Sequence, residues 1–460
     1  MDQQHAGHVH SGYNALDDDR HCNYATSVPY RDPAFAVVFI LQLIGVISVA
    51  IIFAPGLYNN ANPNHHRDYE FQWEIVTSVG IGLLSSLVFA ALWIKILQRH
   101  ADQIIYLSVM SNIGVQAAIG IYALCVNLPM LSLLMFVSAG VAGIIYYFAR
   151  NRVKFASVML ELSVAALNHN PAVIWLTLLG QVLAICWLCV WSTAVVALLV
   201  QTMDSSHSQA NGALPGFAVF CLILSFIWTL EVLQNIFRTI ASGVCGTFYF
   251  FGFTRNPTFK AARRTLTTSF GSICLGGLIV SVIEALRVIF KSSRRGNRDS
   301  IADACCTCIL SCIESIVKYI SKYAYARVAV YGESFMQASR ATYDLFKTKG
   351  IDVVVADELS SIAVFSGAIL GGAVAGFCGS LSVLVLTKDA SLAFAVGCFG
   401  FIVSIGVVAM MMSILSSGVA TFLVLWAEEP RALQQNHPQL HAKLAAAVRS
   451  QFPTVQHSQI

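Results

Sequence analysis

Residues 217–253 read FAVFCLILSFIWTLEVLQNIFRTIASGVCGTFYFFGF. The run is apolar enough to lie in a bilayer and exceeds the ~20 residues a helix needs to cross the hydrocarbon core. Yet it carries Glu231, Asn235 and Arg238, followed by Ser242, Gly243 and Gly246. A carboxylate at membrane depth costs at least ~2.5–3.5 kcal/mol on insertion scales, so it faces a cavity or a partner. Trp228, Phe248, Tyr249, Phe250 and Phe251 lie close by in the chain, and aromatic faces attract cations. The stretch predicts a membrane helix broken near its glycines, with a pathway for a positively charged solute beside it.

Composition extends that reading to the whole chain. Charged residues are 11% and hydrophobic residues 57% of the 460 positions, and mean hydropathy is +0.68. A soluble domain averages roughly 25% charged residues, so a soluble class is excluded. The expected fold is all-α, a polytopic membrane protein of about ten transmembrane helices plus interfacial amphipathic helices. Spans are read at 35–54, 75–96, 103–126, 130–149, 172–202, 217–236, 238–253, 265–290, 359–387 and 392–425. They form one membrane domain over 35–427, between polar tails at 1–34 and 428–460. The tail histidines His5, His8, His10 and His21 read as part of a disordered polar segment, so no metal site is expected, and no cofactor or nucleic-acid partner.

Basic residues orient the spans. Lys95 and Arg99 share one short connection, and Arg150, Arg152 and Lys154 another. Both become cytoplasmic if both termini are inside. The middle is ambiguous, because the basic stretches 255–264 and 291–298 flank a single span. Either 238–253 crosses and 301–350 lies at the surface, or 238–253 ends the preceding helix and 317–345 crosses. Within 301–346, Ile309, Ile313, Ile316, Val317 and Ile320 share a helical face, as in an interfacial helix. Residues 153–169 look like a second one. Gly367 with Gly371, and Gly372 with Gly376, give two GxxxG spacings for close helix approach. Packing inside one chain and a dimer interface are both compatible with them.

Thirteen cysteines do not make a disulfide framework, since most fall in apolar runs. Cys305, Cys306 and Cys308, with Cys312, cluster beside the membrane and are candidates for reversible palmitoylation.

Three stretches together resemble the choline transporter-like family. They are FIWTLEVLQNIFRTIASGVCGTFYF (226–250), TLTTSFGSICLGGLIVSVIEALR (265–287) and CIESIVKYISKYAYARVAVYGESFMQASRATYDLF (312–346). The third resembles the family's aromatic-basic helix followed by its Ala-Tyr and Tyr-Gly signature. Ser321 stands where the family usually has Asn, and Glu284 where Gln is common. The short loop after the first span is similar to that of fungal and protist members. The resemblance implies a plasma-membrane carrier of choline or a related organic cation, which is not an enzyme.

A quaternary ammonium offers no N–H donor, so it is recognised by charge, methyl contacts and aromatic faces. On this reading Trp228, Tyr249 and Phe250 supply faces, Glu231 the compensating charge, and Asn235 a polar group one turn on. Tyr325, Tyr331 and Glu333 are candidates for a cytoplasmic gate. The plainer alternative pairs Glu231 with Arg238, two turns along the same helix. An inside-negative potential supplies ~2.3 kcal/mol per 100 mV to a monovalent cation, so facilitated, potential-driven transport needs no coupled ion. Ethanolamine or another small cation, and a non-transporting scaffold, are the rival readings. The oligomeric state is not encoded in any motif.

Overall fold

The computed structural model describes residues 29–60, 73–150, 153–204, 213–252, 254–293 and 301–451. The tail histidines, the loop after the first span and the cluster Arg294, Arg295 and Arg298 lie outside them. Among the described residues there are helices and no strands. In chain order they are α1 (Pro33–Asn60), α2 (Trp73–Cys125), α3 (Pro129–Ala149), α4 (Val153–His169), α5 (Ala172–Asp204), α6 (Ala213–Phe251) and α7 (Pro257–Leu266). They continue with α8 (Phe270–Ser293), α9 (Ile301–Tyr331), α10 (Phe335–Thr387), α11 (Ala390–Glu428), α12 (Pro430–Asn436) and α13 (Pro438–Gln451).

Local chemistry sets the helix boundaries. Pro129 opens α3 after Asn127, which takes a left-handed φ of 57°. Ser334 and Gln337 form a reciprocal capping box at the start of α10, satisfying backbone donors that a helix start leaves orphaned. Asp389 caps α11, and the Leu392 and Ser391 N–H groups hold its carboxyl below the usual range.

Nine segments among the described residues are long and apolar enough to span a membrane. Two of them come from α2, which is interrupted at His100 (φ −138°, ψ 37°). Trp93 fills the space beside Gly367, and the Ser108 and Ser366 hydroxyls are 2.8 Å apart. A straight helix would separate residues 93 and 108 by about 22 Å, so the chain bends back at His100 to reach neighbouring positions of α10.

Of the two arrangements the sequence leaves open for its middle, the second holds only for α6; its crossing segment 317–345 is corrected, because α9 ends at Tyr331 and α10 begins at Phe335 after a non-helical turn. α6 runs unbroken through Ser242 and Gly243, so the expected glycine break, and with it a separate span at 238–253, is corrected. Gly243 serves packing: a Cβ there would sit 3.1 Å from that of Ala261 on α7. α9 then runs back antiparallel to α8, tied by Lys318 to Glu284 and Arg287 to Glu314, each at 2.9 Å. Its 31 residues span about 46 Å. Tyr323, Ala324 and Val328 are fully buried, while Ile309, Ile313 and Ile316 face outward. The isoleucine face thus points away from the bundle, while the later turns of α9 pack into it.

α4 is the second correction. Phe155 packs on Trp426 with ring centroids 5.0 Å apart, and Ser163 donates to the Leu415 carbonyl at 2.8 Å, further along α11. The helix therefore enters the bundle, and Met159, Leu160 and Val164 have no exposure. Small serines and alanines on this helix allow α11 to approach it closely.

The start of α1, the ends of α6, α9 and α11, and the starts of α8 and α10 meet at one end of the bundle. Arg31 donates its N–H to the Thr268 carbonyl at 3.0 Å and its Nε–H to that of Gly332 at 3.4 Å. Asn436 donates to the Phe250 carbonyl at 2.6 Å, and Lys443 meets Glu161 at 2.6 Å. The stretch after residue 428, read as a tail, thus folds through residue 451 as two helices docked at that end. The glycine pairs pack within the chain: Gly371 meets Phe89 and Val408, and Gly376 meets the Gly397 carbonyl and Phe401.

Candidate functional site

A cavity of about 410 Å³ opens between α6, α8, α9, α10 and α11, inside the ~300–1,000 Å³ range of small-molecule sites. α6 presents Glu231, Gln234, Asn235 and Arg238, residues spaced three and four apart and so on one face. α9 contributes Lys318, Ser321, Lys322 and Tyr325 in the same rhythm. Phe365 and Ser361 come from α10, and Ser413, Ser416 and Ser417 from α11.

The charges around this cavity are unequally satisfied. Lys322 is clamped by both oxygens of buried Asp357, at 2.6 and 2.8 Å. Lys318 binds Glu284 at 2.9 Å and Glu314 at 3.0 Å. Glu231 enters no ion pair among the described residues. Asn235 stands between it and Arg238: the amide Nδ2 donates to the Glu231 carboxylate at 3.4 Å, and Oδ1 accepts from Arg238 at 3.3 Å. The expected alternative of a direct Glu231–Arg238 pair is therefore replaced by an amide bridge. The same Nδ2 reaches the Tyr325 hydroxyl at 3.2 Å.

The sequence-derived residues divide accordingly. Glu231 and Asn235 line the cavity, and Tyr325, expected at a gate, lines it too. Trp228, one turn from Glu231, turns elsewhere; its indole N–H donates to the Cys274 carbonyl at 3.0 Å, and its ring meets Phe39 edge-on at 5.2 Å. Tyr249 and Phe250 lie at the far end of α6, where the Tyr249 hydroxyl donates to the Glu429 carbonyl at 2.9 Å. None of these three is among the lining residues. The aromatic faces on the cavity are those of Tyr325 and Phe365.

Two signals pointed to lining residues the sequence reading passed over. Lys318 and Lys322 are one turn apart, with Tyr325 completing that face. Ser413, Ser416 and Ser417 repeat at helical spacing in an otherwise apolar run, which marks a polar stripe.

Tyr331 and Glu333 sit at the end of the bundle where the start of α1 meets the ends of α9 and α11. Arg327 holds Glu333 through both carboxylate oxygens, at 2.9 and 2.7 Å, and also binds Glu428 at the end of α11. The Arg327 guanidinium lies 5.1 Å from the centre of the Tyr331 ring. At the opposite end of α9, Cys306 and Cys308 are exposed, while the side chain of Cys305 lies outside the described residues.

Comparison with known proteins bears on the same segments. A family model described as plasma-membrane choline transporter matches residues 133–431, which contain every residue lining the cavity. A CTL-like protein of Dictyostelium discoideum is 27% identical over 428 residues, 90% of this chain and 74% of that protein. Protein PNS1 of Mycosarcoma maydis is 28% identical over 464 residues, 93% of this chain and 84% of its own length. Protein PNS1 of Eremothecium gossypii is 26% identical over 444 residues, covering 89% and 80% respectively. With the match spanning more than half of the chain and the whole cavity, this multi-pass membrane protein belongs to the choline transporter-like family.

Proposed function

We propose that the chain carries choline or a closely related organic cation across the plasma membrane, by alternating access and without catalysis. The observation that carries this reading is Glu231, a carboxylate on a cavity wall with an amide neighbour and no ion-pair partner among the described residues. A cation entering the cavity can pair with this carboxylate directly, where Arg238 reaches it only through the Asn235 amide. Tyr325 and Phe365 offer ring faces to its methyl groups, each contact contributing ~0.5–2 kcal/mol depending on desolvation. The serines of α10 and α11 are placed to bond its hydroxyl. Trp228, Tyr249 and Phe250, proposed from sequence as the cage, act on this reading as the packing that holds α6.

The serine stripe also favours one second reading. Serine hydroxyls accept from a primary ammonium, which has N–H donors, so ethanolamine is the runner-up substrate.

Orientation follows from charge. Lys95, Arg99, Arg150, Lys154 and the basic residues of α7 lie toward the end of the bundle that holds the start of α1 and the helices α12 and α13, and under the positive-inside rule we take that end as cytoplasmic. The Arg327–Glu333–Glu428 cluster then closes the cytoplasmic side, and residues 35–427 act as a single transport unit.

The test is uptake of labelled choline into proteoliposomes under a potassium-diffusion potential. Wild type should accumulate it, with unlabelled choline competing better than ethanolamine. Folded wild-type protein giving no potential-driven uptake would sink the proposal.

A further inference from the structure

α7 has a surface that transport leaves unused. Pro257, Thr258, Ala261 and Thr265 are buried against the bundle. The opposite face carries Phe259, 71% exposed, and Leu266, 54% exposed, with Lys260 and Arg263 also exposed between them. Positions 259, 260, 263 and 266 fall on one side of a helix. Arg255, just ahead of the helix, is exposed as well. No acidic residue occurs between Glu231 and Glu284, so this face has a single sign of charge in its own sequence neighbourhood.

Large apolar side chains interleaved with cations suit neither water nor the hydrocarbon core. They suit the layer between, where rings and aliphatic chains enter the acyl boundary and cations meet phosphate. The position of α7 requires that layer to be near, because it joins the end of α6 to the start of α8, two membrane spans.

We propose that α7 is a binding site for anionic phospholipid headgroups, with Lys260, Arg263 and Arg255 contacting the phosphate and carboxylate groups, and Phe259 and Leu266 seated among the upper acyl carbons. The site is anchored to the transport machinery. Ala261 abuts Gly243 of α6, and Arg264 on the inner side donates to the Val330 carbonyl at 3.4 Å.

The test is native mass spectrometry of the purified protein in detergent, titrated with phosphatidylserine or phosphatidylcholine. It does not depend on transport. Each basic residue near an anionic surface is worth about fivefold in binding. Wild type should therefore bind phosphatidylserine at least about fivefold more tightly than phosphatidylcholine. The Lys260→Gln/Arg263→Gln double variant should lose most of that preference, and each single variant part of it. Both side chains are exposed, so folding does not depend on them. Phe259→Ser/Leu266→Ser should weaken both lipids alike. Equal binding of the two lipids by wild type, or an undiminished preference in the double variant, would overturn the proposal.

Discussion

Asn235 on α6 donates to the hydroxyl of Tyr325 on α9, 3.2 Å away, and both side chains border the same cavity. Two segments ninety residues apart in sequence thus meet at the one carboxylate on that wall. Neutralising Glu231 leaves the Asn235–Tyr325 bond in place. Glu231→Gln should therefore fold and insert normally while binding choline ~10–100-fold more weakly, the range for losing an interaction with a charged group. Uptake kinetics alongside thermal stability checks this. A loss of folded protein at unchanged affinity would return Glu231 to a structural role.

Trp228 separates a packing role from a binding one. Trp228→Phe removes the N–H that satisfies the Cys274 carbonyl but keeps a ring against Phe39. Stability should fall by about 1 kcal/mol, with choline affinity unchanged in a competition assay. An affinity loss of tenfold or more would put the indole in the substrate's path.

Where the ends of α9 and α11 meet, Arg327 is shared between two carboxylates. Arg327→Met strands both, and all three groups are partly shielded from solvent. The expected cost is ~1–3 kcal/mol in thermal unfolding. Glu333→Gln should cost less, because Glu428 still pairs.

His437 gives the fold a pH dependence. Its ring stacks on Phe248 at 4.1 Å, and its Nε2–H donates to the Phe248 carbonyl at 3.0 Å. Burial lowers its pKa, with the carbonyl bond acting in the opposite direction. The unfolded chain, titrating near 6.5, thus binds the proton more readily than the folded protein. Stability is full above about pH 6.5 and declines as pH falls toward the folded value. Melting temperatures at pH 7.5 and 5.5 should differ more in wild type than in His437→Gln. An equal difference would exclude the histidine.

Gly376→Ala places a Cβ 2.8 Å from the Gly397 carbonyl oxygen and 3.0 Å from Phe401 Cβ. Since backbone must move, ~1–3 kcal/mol of destabilisation is expected. The oligomeric state, read by light scattering, should not change, because the contact lies within one chain.

Membrane class, most span positions and the polar face of α6 were legible in the sequence because apolar runs and helical spacing encode them directly. α9 was harder to place. Lys318, Lys322 and Arg327 lower its hydropathy, and only their partners Glu284, Asp357 and Glu428 on other helices explain how it lies within the bundle. The direction of Trp228 was illegible for a related reason. Its position within one turn of Glu231 is set by sequence, whereas its rotation toward Cys274 is set by α8. The serines of α11 were visible, but their meaning required the cavity they face.

The cavity lies between two groups of helices held together by different means. α10 is locked to α2 and α11 by glycines against rings and backbone, contacts that tolerate no sliding. α9 meets α10 and α11 through Lys322–Asp357 and Arg327–Glu428, and α6 meets α11 through the 2.8 Å contact of Ser242 with Ser417. Rings cross the same boundaries: Tyr323 of α9 packs edge-on against Phe346 of α10 at 4.9 Å, and Phe248 and Tyr249 of α6 meet Phe422 of α11 at 6.4 and 6.1 Å. The walls of the cavity are thus joined by aromatic faces as well as by directional bonds, so any rotation of one wall against the other has to repack rings while it exchanges ion pairs.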